Sequence, residues 1–333
     1  MTDSLSTKVN VMVQKNALIC GISGQDGAYL ARLLLDKGYA VHGTARDAQM
    51  AGFGHLQALG IKGRIIFHSM ALNDFRSVLQ VLDKVQPDEI YNLAGQSSVG
   101  LSFDQPVETL ESISMGTLNL LEAIRFTKEP IKLYSAGSSE CFGNTGGQPA
   151  DENTPFRPRS PYAVAKATAF WEVSNYREAY SLFACTGILF NHESPLRPER
   201  FVTKKIIKAA CQIANGSPEK LHLGNIDIAR DWGSADEYVE AMWQMLQLPH
   251  PEDFVIATGE TNTLQDFVAA VFEAVSLDWT QHVITDPTLL RPSEIMVSRG
   301  NPAKALNKLD WRAKRKMRDV IGWIIATERG VDR

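Results

Sequence analysis

The sequence predicts an α/β fold: a doubly wound parallel sheet with a second, smaller α/β lobe. Short apolar runs alternate with amphipathic segments as far as residue 190, which is the pattern of parallel strands covered by helices on both faces. A glycine-rich turn follows the first run, and prolines become frequent after Asn191. We therefore expect residues 1–190 with about 225–262 to form the larger domain, and residues 191–224 with about 263–333 to form the lobe.

Each element is predicted from apolar periodicity and from the residues that begin or end it. Strands are short apolar runs, whereas helices repeat apolar residues at spacings of three and four. Gly38 ends the first helix, and Pro161 begins a later one, where its missing N–H leaves no bond unmade. The predicted strands are 17–20, 39–42, 64–67, 89–93, 131–135, 183–190 and 254–257. The predicted helices are 28–37, 75–85, 106–126 and 162–180, with shorter helices after Asn191.

Composition and charge exclude several classes of protein. The chain has 333 residues and a formal charge of −4, which gives no field that would gather nucleic acid or anionic lipid. No segment reaches the ~18 apolar residues of a membrane helix, and the N-terminus lacks the pattern of a secretory signal. The four cysteines and seven histidines are scattered, without metal-ligand spacing. We expect a cytoplasmic protein that binds no nucleic acid, no membrane and no metal.

The first chemical motif is a glycine turn, Gly21-Ile22-Ser23-Gly24-Gln25-Asp26-Gly27. Glycines at spacing three, between a strand and a helix, let the backbone approach a pyrophosphate, which the helix N-terminus attracts. The motif therefore predicts a dinucleotide-binding (Rossmann) domain. The alternative is a turn that serves only the packing of the strand on the helix.

Arg46 follows the second predicted strand, where nicotinamide cofactors are distinguished. A carboxylate at this point holds the ribose 2′-hydroxyl of NAD, whereas an arginine suits the 2′-phosphate of NADP. Arg46 favours NADP over NAD, although Asp47 would repel the phosphate if its side chain pointed inward. The alternative for Arg46 is a solvated loop charge.

Tyr162 and Lys166 lie four residues apart and share one face of a predicted helix. We expect the ammonium to lower the tyrosine pKa, so that the phenolate takes a proton from a substrate hydroxyl. The loop after strand 131–135 carries Ser138 and Glu140, at the sheet edge where ligands bind. Glu140 adds a second acid–base group, which oxidation at a single carbon does not require. The alternative for Tyr162 and Lys166 is a surface pair without a catalytic role. The alternative for Glu140 is a hydrogen-bonded residue that anchors the loop.

These motifs together resemble the extended short-chain dehydrogenase/reductase superfamily and, within it, the GDP-mannose 4,6-dehydratase family. The resemblance covers residues 16–311. Beyond the glycine turn it is carried by the segments 87–94, 159–162, 191–195, 201–203, 223–225 and 230–233. The last four of these segments serve the sugar nucleotide in the family rather than the fold.

The resemblance implies a set of functional residues in this chain. The implied catalytic residues are Ser138, Glu140, Tyr162 and Lys166, with Ser138 standing where the family usually has threonine. The implied cofactor contacts are the glycine turn with Arg46, Leu72, Leu93, Ala94, Gly95, Gln96, Ser97, Lys166, His192 and Arg197. The implied nucleotide-sugar contacts are Asn191, Val202, Lys205, Arg230, Arg291 and Glu294.

The implied reaction converts GDP-mannose to GDP-4-keto-6-deoxymannose, with internal hydride transfer from C4 to C6 and loss of water. Tyr162, assisted by Lys166, would take the proton of the C4 hydroxyl, and Glu140 would take the proton from C5. Ser138 would position the reacting groups, and the cofactor, NADP with NAD less favoured, would be regenerated. The resemblance also implies a homodimer or homotetramer, in which helices 106–126 and 162–180 pair between subunits.

The chain departs from the family pattern at three points. Arg46-Asp47 replaces two adjacent arginines, Ala71 replaces an aspartate near the adenine, and segment 44–54, which also touches a neighbouring subunit in the family, is atypical. Other functions remain open on the residues alone. They are 4,6-dehydration of another GDP-sugar (a heptose or an amino sugar), a sugar-nucleotide 4-epimerase or 4-ketoreductase, and a non-enzymatic NADP-binding scaffold.

Overall fold

A seven-stranded sheet forms the centre of the computed structural model, which describes residues 14–331. The strands, numbered in chain order, are β1 (Asn16–Cys20), β2 (Ala40–Ala45), β3 (Ile66–Ser69), β4 (Glu89–Asn92), β5 (Lys132–Ala136), β6 (Ala184–Leu189), β7 (Asn191–Glu193), β8 (Leu221–Leu223), β9 (Ala229–Ser234), β10 (Phe254–Ile256), β11 (Thr261–Thr263) and β12 (Val283–Thr285). The sheet has the order β10-β6-β5-β4-β1-β2-β3, and all its strand pairs are parallel.

The helices connect these strands and cover the sheet. They are α1 (Gln25–Asp36), α2 (Gly54–Ala58), α3 (Phe75–Val85), α4 (Val99–Asp104), α5 (Pro106–Leu110), α6 (Gly116–Thr127), α7 (Pro161–Tyr180), α8 (Val202–Ala214), α9 (Ala235–Gln247), α10 (Leu264–Ala274), α11 (Ala303–Leu309) and α12 (Met317–Glu328). A π-helical turn, Glu111–Met115, joins α5 to α6, and short 3₁₀ turns cover Lys62–Arg64, Ser139–Phe142, Trp279–Gln281 and Pro287–Leu289. No helix within residues 14–331 is long and apolar enough to cross a membrane.

Strand β1 shows why both faces of the sheet are covered. Ala17 and Ile19 belong to one buried cluster, which includes residues of α1 and α9, whereas Leu18 and Cys20 belong to another, which includes residues of α3 and α6. Because successive side chains of a strand point to opposite faces, a fully apolar strand needs helices on both sides. The chain order reverses on either side of β1, between β4 and β2, so the crevice at the carboxyl ends of these strands is the expected ligand site.

Two small sheets and three helices lie outside the large sheet, in a region here called the lobe. Strands β11, β9 and β7 form one sheet, and β12 pairs with β8 in the other. Helices α8, α10 and α12 bury a common apolar cluster, in which the Trp232 and Phe267 rings lie 5.2 Å apart. Helix α11, late in the chain, packs against β10 and α9 of the large sheet. The expected division into two domains stays a prediction.

The structure confirms the predicted α/β fold and its parallel sheet. Each of the seven predicted strands overlaps one of the seven strands of the large sheet. The predicted helix 75–85 coincides with α3, because the Asp74 carboxylate caps its first turn and Gln86 ends it with a φ of 45°.

Two predictions about helices are wrong. The helices after Asn191 are not shorter, since α8 and α9 have 13 residues each against 12 in α1. The predicted helix 106–126 is not an unbroken α-helix but contains the π turn. The π turn packs against the loop after β4, where the backbone N–H of Gln96 donates to Ser112 Oγ at 3.2 Å. An amphipathic pattern does not reveal one extra residue in a turn.

Candidate active site

The glycine turn between β1 and α1 is shaped by contacts that leave no room for side chains. A Cβ on Gly21 would lie 2.9 Å from the backbone of Ala94, and one on Gly27 would lie 2.5 Å from the Gly21 carbonyl oxygen. Gly21 also has a φ of +84°. Helix α1 then follows Gly24, which has no side chain to cap it. The backbone N–H groups of its first turn therefore donate to no capping side chain. The turn therefore fits a bound pyrophosphate.

A cavity of about 780 Å³ opens over this turn. It extends along the carboxyl ends of β1, β2 and β4, as expected for a dinucleotide site at the reversal of strand order. Most of the predicted cofactor residues line it: Gly21, Ser23, Gly24, Gln25, Asp26, Gly27, Arg46, Leu72, Leu93, Ala94, Gly95, Gln96, Ser97 and Arg197. Ile22 does not line it, because its side chain is fully buried against Gly43 of β2.

A second cavity of about 390 Å³ adjoins the first between the sheet and the lobe. The two cavities share Asp26, Ser97 and Arg197 in their walls. The second brings together every predicted catalytic and nucleotide-sugar residue, and His192 with them: Ser138, Glu140, Tyr162, Lys166, Asn191, His192, Val202, Lys205, Arg230, Arg291 and Glu294. These residues come from segments that are far apart in the chain.

Tyr162 and Lys166 project from the first turns of α7 into the second cavity. Ser160 caps the helix by accepting the N–H of Ala163 at 3.1 Å, which fixes where α7 begins. The Lys166 ammonium donates to the Ala136 carbonyl at 2.7 Å and lies 6.0 Å from the centre of the Tyr162 ring. Burial lowers the pKa of Lys166 to about 8.

The expected lowering of the Tyr162 pKa is not found. Burial raises the pKa of Tyr162 well above its ordinary value, and the Ser138 side chain opposes this shift only in part. Lys166 is held by a backbone carbonyl rather than by the phenol. Without a ligand, therefore, the phenol keeps its proton at neutral pH.

Glu140 lines the same cavity as Tyr162. It lies in the 3₁₀ turn after β5, and its backbone N–H donates to Ser138 Oγ at 3.3 Å. Burial raises the Glu140 pKa, an effect that the Arg230 and Arg291 charges oppose. The Glu140 charge in turn contributes to the raised pKa of Tyr162. A carboxyl group with a raised pKa is suited to accept and return a proton near neutral pH.

The glycine turn is tied to strand β7 by polar side chains. His192 and Asp26 form an ion pair of 2.8 Å, and Gln25 Nε2 donates to the His192 carbonyl at 3.2 Å. The Ser194 hydroxyl donates to Gln25 Oε1 at 2.7 Å. Gln25, Asp26 and His192 were predicted as cofactor contacts. In the structure their hydrogen bonds also connect the wall of the first cavity to the wall of the second.

The Arg46 side chain is exposed and forms an ion pair that the sequence did not predict. Its Nη2 atom lies 2.8 Å from Oε1 of Glu108 in α5. Asp47 does not extend freely into the cavity, because its Oδ1 accepts the backbone N–H groups of Gln49 and Met50 at 2.9 and 3.1 Å.

The charged residues predicted to contact the nucleotide sugar are already engaged with the protein. Arg230 donates to the Ile295 carbonyl at 2.7 Å and pairs with Glu294 at 3.0 Å. Arg291 lies 3.6 Å from the same Glu294 carboxylate. Lys205 donates to the His222 carbonyl at 2.7 Å. The arginines leave further N–H groups for an anion at the cavity wall, because a guanidinium has five donors.

Arg200 and Asn73 are among the lining residues that sequence reasoning missed. Arg200 lines both cavities, and its Nη2 donates to Ser97 Oγ at 3.3 Å. It follows Arg197 by three residues in a turn, and that spacing of two arginines was the available signal. Asn73 lines the first cavity beside Leu72. The Asn73 side chain offers an amide two residues from Ala71, which stands where the family has an aspartate.

A parallel sheet with a glycine turn, and a tyrosine and lysine four residues apart facing the same crevice, define an extended short-chain dehydrogenase/reductase. The family model described as GDP-mannose 4,6 dehydratase matches residues 18–323. The chain belongs to the GDP-mannose 4,6-dehydratase family.

Relatives with curated names are similar over most of their length. GDP-mannose 4,6 dehydratase 1 of Arabidopsis thaliana is 47% identical, covering 91% of this chain and 87% of the relative. GDP-mannose 4,6-dehydratase of Sinorhizobium fredii is 43% identical, covering 92% and 94%.

Solved structures with the same fold are more distant in sequence. UDP-glucose 4-epimerase of Thermotoga maritima with UDP-glucose has a TM-score of 0.85 at 21% identity, covering 95% of this chain and 99% of that one. UDP-glucose 4-epimerase of Thermus thermophilus in complex with NAD has a TM-score of 0.83 at 26% identity, covering 95% and 100%.

Proposed function

We propose that the protein is a lyase that converts GDP-mannose to GDP-4-keto-6-deoxymannose. One observation carries the proposal beyond family membership: Glu140 lines the same cavity as Tyr162, Lys166 and Ser138. An epimerase or ketoreductase needs one proton acceptor for a sugar hydroxyl, whereas elimination of water needs a second acid–base group. Glu140 is that second group.

The dinucleotide cavity supports a nicotinamide cofactor, with NADP as the proposed form. The glycine turn would hold the pyrophosphate, and Arg46 would reach the 2′-phosphate. When bound, such a cofactor would supply a reversible hydride acceptor, held by the turn and the Leu93–Ser97 wall. Gly21 and Gly27 fit this group, because a side chain on Gly21 would collide with the Ala94 backbone and one on Gly27 with the turn itself.

Tyr162 is proposed to accept the proton of the C4 hydroxyl. Its phenol is buried and protonated in the free protein, so the phenolate must be stabilised when the cavity fills. The Lys166 ammonium, 6.0 Å from the centre of the ring, supplies positive charge for this step. With a pKa of about 8, Lys166 is mostly charged at neutral pH.

Glu140 is proposed to take the C5 proton and to assist the departure of the C6 hydroxyl. Its raised pKa makes the carboxylate a stronger base than an exposed glutamate. The charges of Arg230 and Arg291 oppose that rise. The Ser138 hydroxyl, which already interacts with Tyr162, positions the reacting groups.

The nucleotide end of the substrate is proposed to lie against the lobe. Arg230 and Arg291 would bind the diphosphate, because guanidinium groups pair well with phosphate oxygens. Lys205, Asn191, Val202 and Glu294 line the same wall. The guanine base is proposed from the family alone.

A homodimer is the proposed assembly, with a homotetramer as the alternative. Large apolar side chains are exposed on α5, the π turn and α7: Val107 (66%), Met115 (47%), Val164 (43%) and Trp171 (61%). Monomers rarely leave such side chains together in water, and a second copy of these helices would cover them.

The experiment is incubation of the purified protein with GDP-mannose and a trace of NADP, followed by mass spectrometry. The expected product has lost one water, while the cofactor shows no net reduction. Stoichiometric consumption of NADPH would indicate a 4-ketoreductase, and an isomer of unchanged mass would indicate a 4-epimerase. Cofactor binding without any turnover of GDP-sugars would indicate a scaffold. Each of these outcomes would contradict the proposal.

A further inference from the structure

The Arg46–Glu108 pair lies at the point in the cofactor cavity where NAD and NADP differ. Arg46 follows β2, and Glu108 stands on α5, so residues 62 apart in the chain meet at 2.8 Å. Both side chains line the cavity, together with Asp47. The side chains of Arg46 and Glu108 are 79% and 45% exposed, so a ligand reaches the pair without a change in the backbone.

The two members of this pair suit different cofactors. A carboxylate accepts a hydrogen bond from the ribose 2′-hydroxyl of NAD, and an arginine neutralises the 2′-phosphate of NADP. To bind NADP, the site must therefore turn Arg46 from Glu108 to the phosphate. It must also bring the phosphate close to the carboxylates of Glu108 and Asp47, which repel it. Binding of NAD imposes neither requirement, because NAD has no 2′-phosphate.

We propose that Glu108 is a specificity-determining residue that weakens the preference for NADP by competing for Arg46. This inference rests on the proposed function, since it concerns the same cofactor site. Exposed ion pairs are weak, so the competition reduces NADP binding without abolishing it, and the dissociation constants of the two cofactors lie within about tenfold of each other.

The test measures the dissociation constants of NADPH and NADH for the full-length protein, by fluorescence transfer from tryptophan to the reduced nicotinamide. In Glu108→Gln, we expect NADPH to bind about two- to fivefold more tightly, since an exposed pair has about that strength. NADH binding should not tighten. Glu111→Gln is the matched control, because Glu111 lines the same cavity but forms no ion pair within residues 14–331.

A double variant tests whether the effect passes through Arg46. In Arg46→Gln, NADPH should bind more weakly, and adding Glu108→Gln should then tighten it less than in the wild type. An unchanged NADPH-to-NADH ratio in Glu108→Gln, or an equal change in Glu111→Gln, would overturn the inference while leaving the proposed function standing. A wild-type preference for NADPH above about tenfold would do the same. Failure to bind either nucleotide would overturn both.

Discussion

The Nε2 atom of His192 lies 2.8 Å from the carboxylate of Asp26, and this pair joins the cofactor turn to strand β7. The other ring nitrogen, Nδ1, donates to the Phe190 carbonyl at 2.8 Å. Because a neutral imidazole has one N–H, two donated bonds require the charged form. Burial favours neutral His192, but the Asp26 charge and the hydrogen bonds to Asp26 and Phe190 together outweigh it and raise the His192 pKa. Burial likewise opposes ionised Asp26, but His192 holds the Asp26 pKa below its ordinary value.

This pair predicts a pH-dependent contribution to stability. The raised His192 pKa stabilises the fold fully below the ordinary value of ~6.5, and the stabilisation is lost as pH rises through the raised pKa. The lowered Asp26 pKa stabilises the fold fully above pH ~3.9, the ordinary pKa of aspartate. This stabilisation is lost as pH falls through the lowered pKa. In His192→Gln, we expect the free energy of unfolding to fall by about 2 kcal/mol near pH 5.5, and by less near pH 8.5.

Urea unfolding at the two pH values measures this difference. His250→Gln is the control, because His250 is an exposed histidine at the end of the segment after α9. It should leave stability unchanged at both pH values. A loss in His192→Gln that grew with rising pH would contradict a charged His192.

Glu140→Gln should separate cofactor binding from elimination. The amide retains the size of the side chain but cannot take a proton, so we expect dehydration to slow by at least about 10²-fold. NADPH binding should change less than about twofold, because Glu140 lines the second cavity and not the first. Mass spectrometry of the GDP-sugar measures the first quantity, and fluorescence titration the second.

The control for Glu140→Gln is Glu129→Gln. Glu129 is exposed and precedes β5, at the edge of the sheet opposite to the crevice. It should dehydrate GDP-mannose at the wild-type rate. Full activity in Glu140→Gln would remove the observation on which the proposed function rests.

Tyr162→Phe should reduce kcat by about 10²–10⁴-fold, since it removes one positioned acid–base group. KM should change little, because the hydroxyl is one of many groups lining the cavity. Tyr180→Phe, at the exposed end of the same helix, is the matched control. Equal loss in both variants would show that the tyrosines act through the stability of α7.

Lys166 predicts the basic limb of the pH profile. Burial lowers its pKa to about 8, so the ammonium that supports the Tyr162 phenolate is lost as pH rises above that value. We expect kcat/KM of the wild-type protein to fall through about pH 8 and upward. A profile that kept rising to pH 10 would show that the charge on Lys166 is not required.

The sequence was sufficient for features that depend on local spacing. Helix α3 was predicted with its observed bounds from apolar periodicity, and the residues that the structure shows at its ends, Asp74 and Gln86, are its immediate neighbours in the chain. The shared face of Tyr162 and Lys166 follows from helical geometry alone. The Arg46–Glu108 pair could not be predicted, since it joins residues from two elements that no local pattern connects. The direction of the Tyr162 pKa was wrong for a related reason: burial depends on the whole fold, and its effect on the Tyr162 pKa exceeds the opposing effect of the Ser138 side chain.

Trp171 predicts the oligomeric state of the protein. Its side chain is 61% exposed on α7, two helical turns from the exposed Val164, and Met115 of the π turn is exposed as well. If a second copy covers this face, Trp171→Glu buries a charge in the interface and should convert the dimer to a monomer. Light scattering on the eluting protein measures the mass, and Leu306→Glu, at a 47% exposed leucine of α11, is the control that should remain dimeric. A monomeric wild type, or an unchanged mass in Trp171→Glu, would mean that these apolar side chains are not the subunit contact.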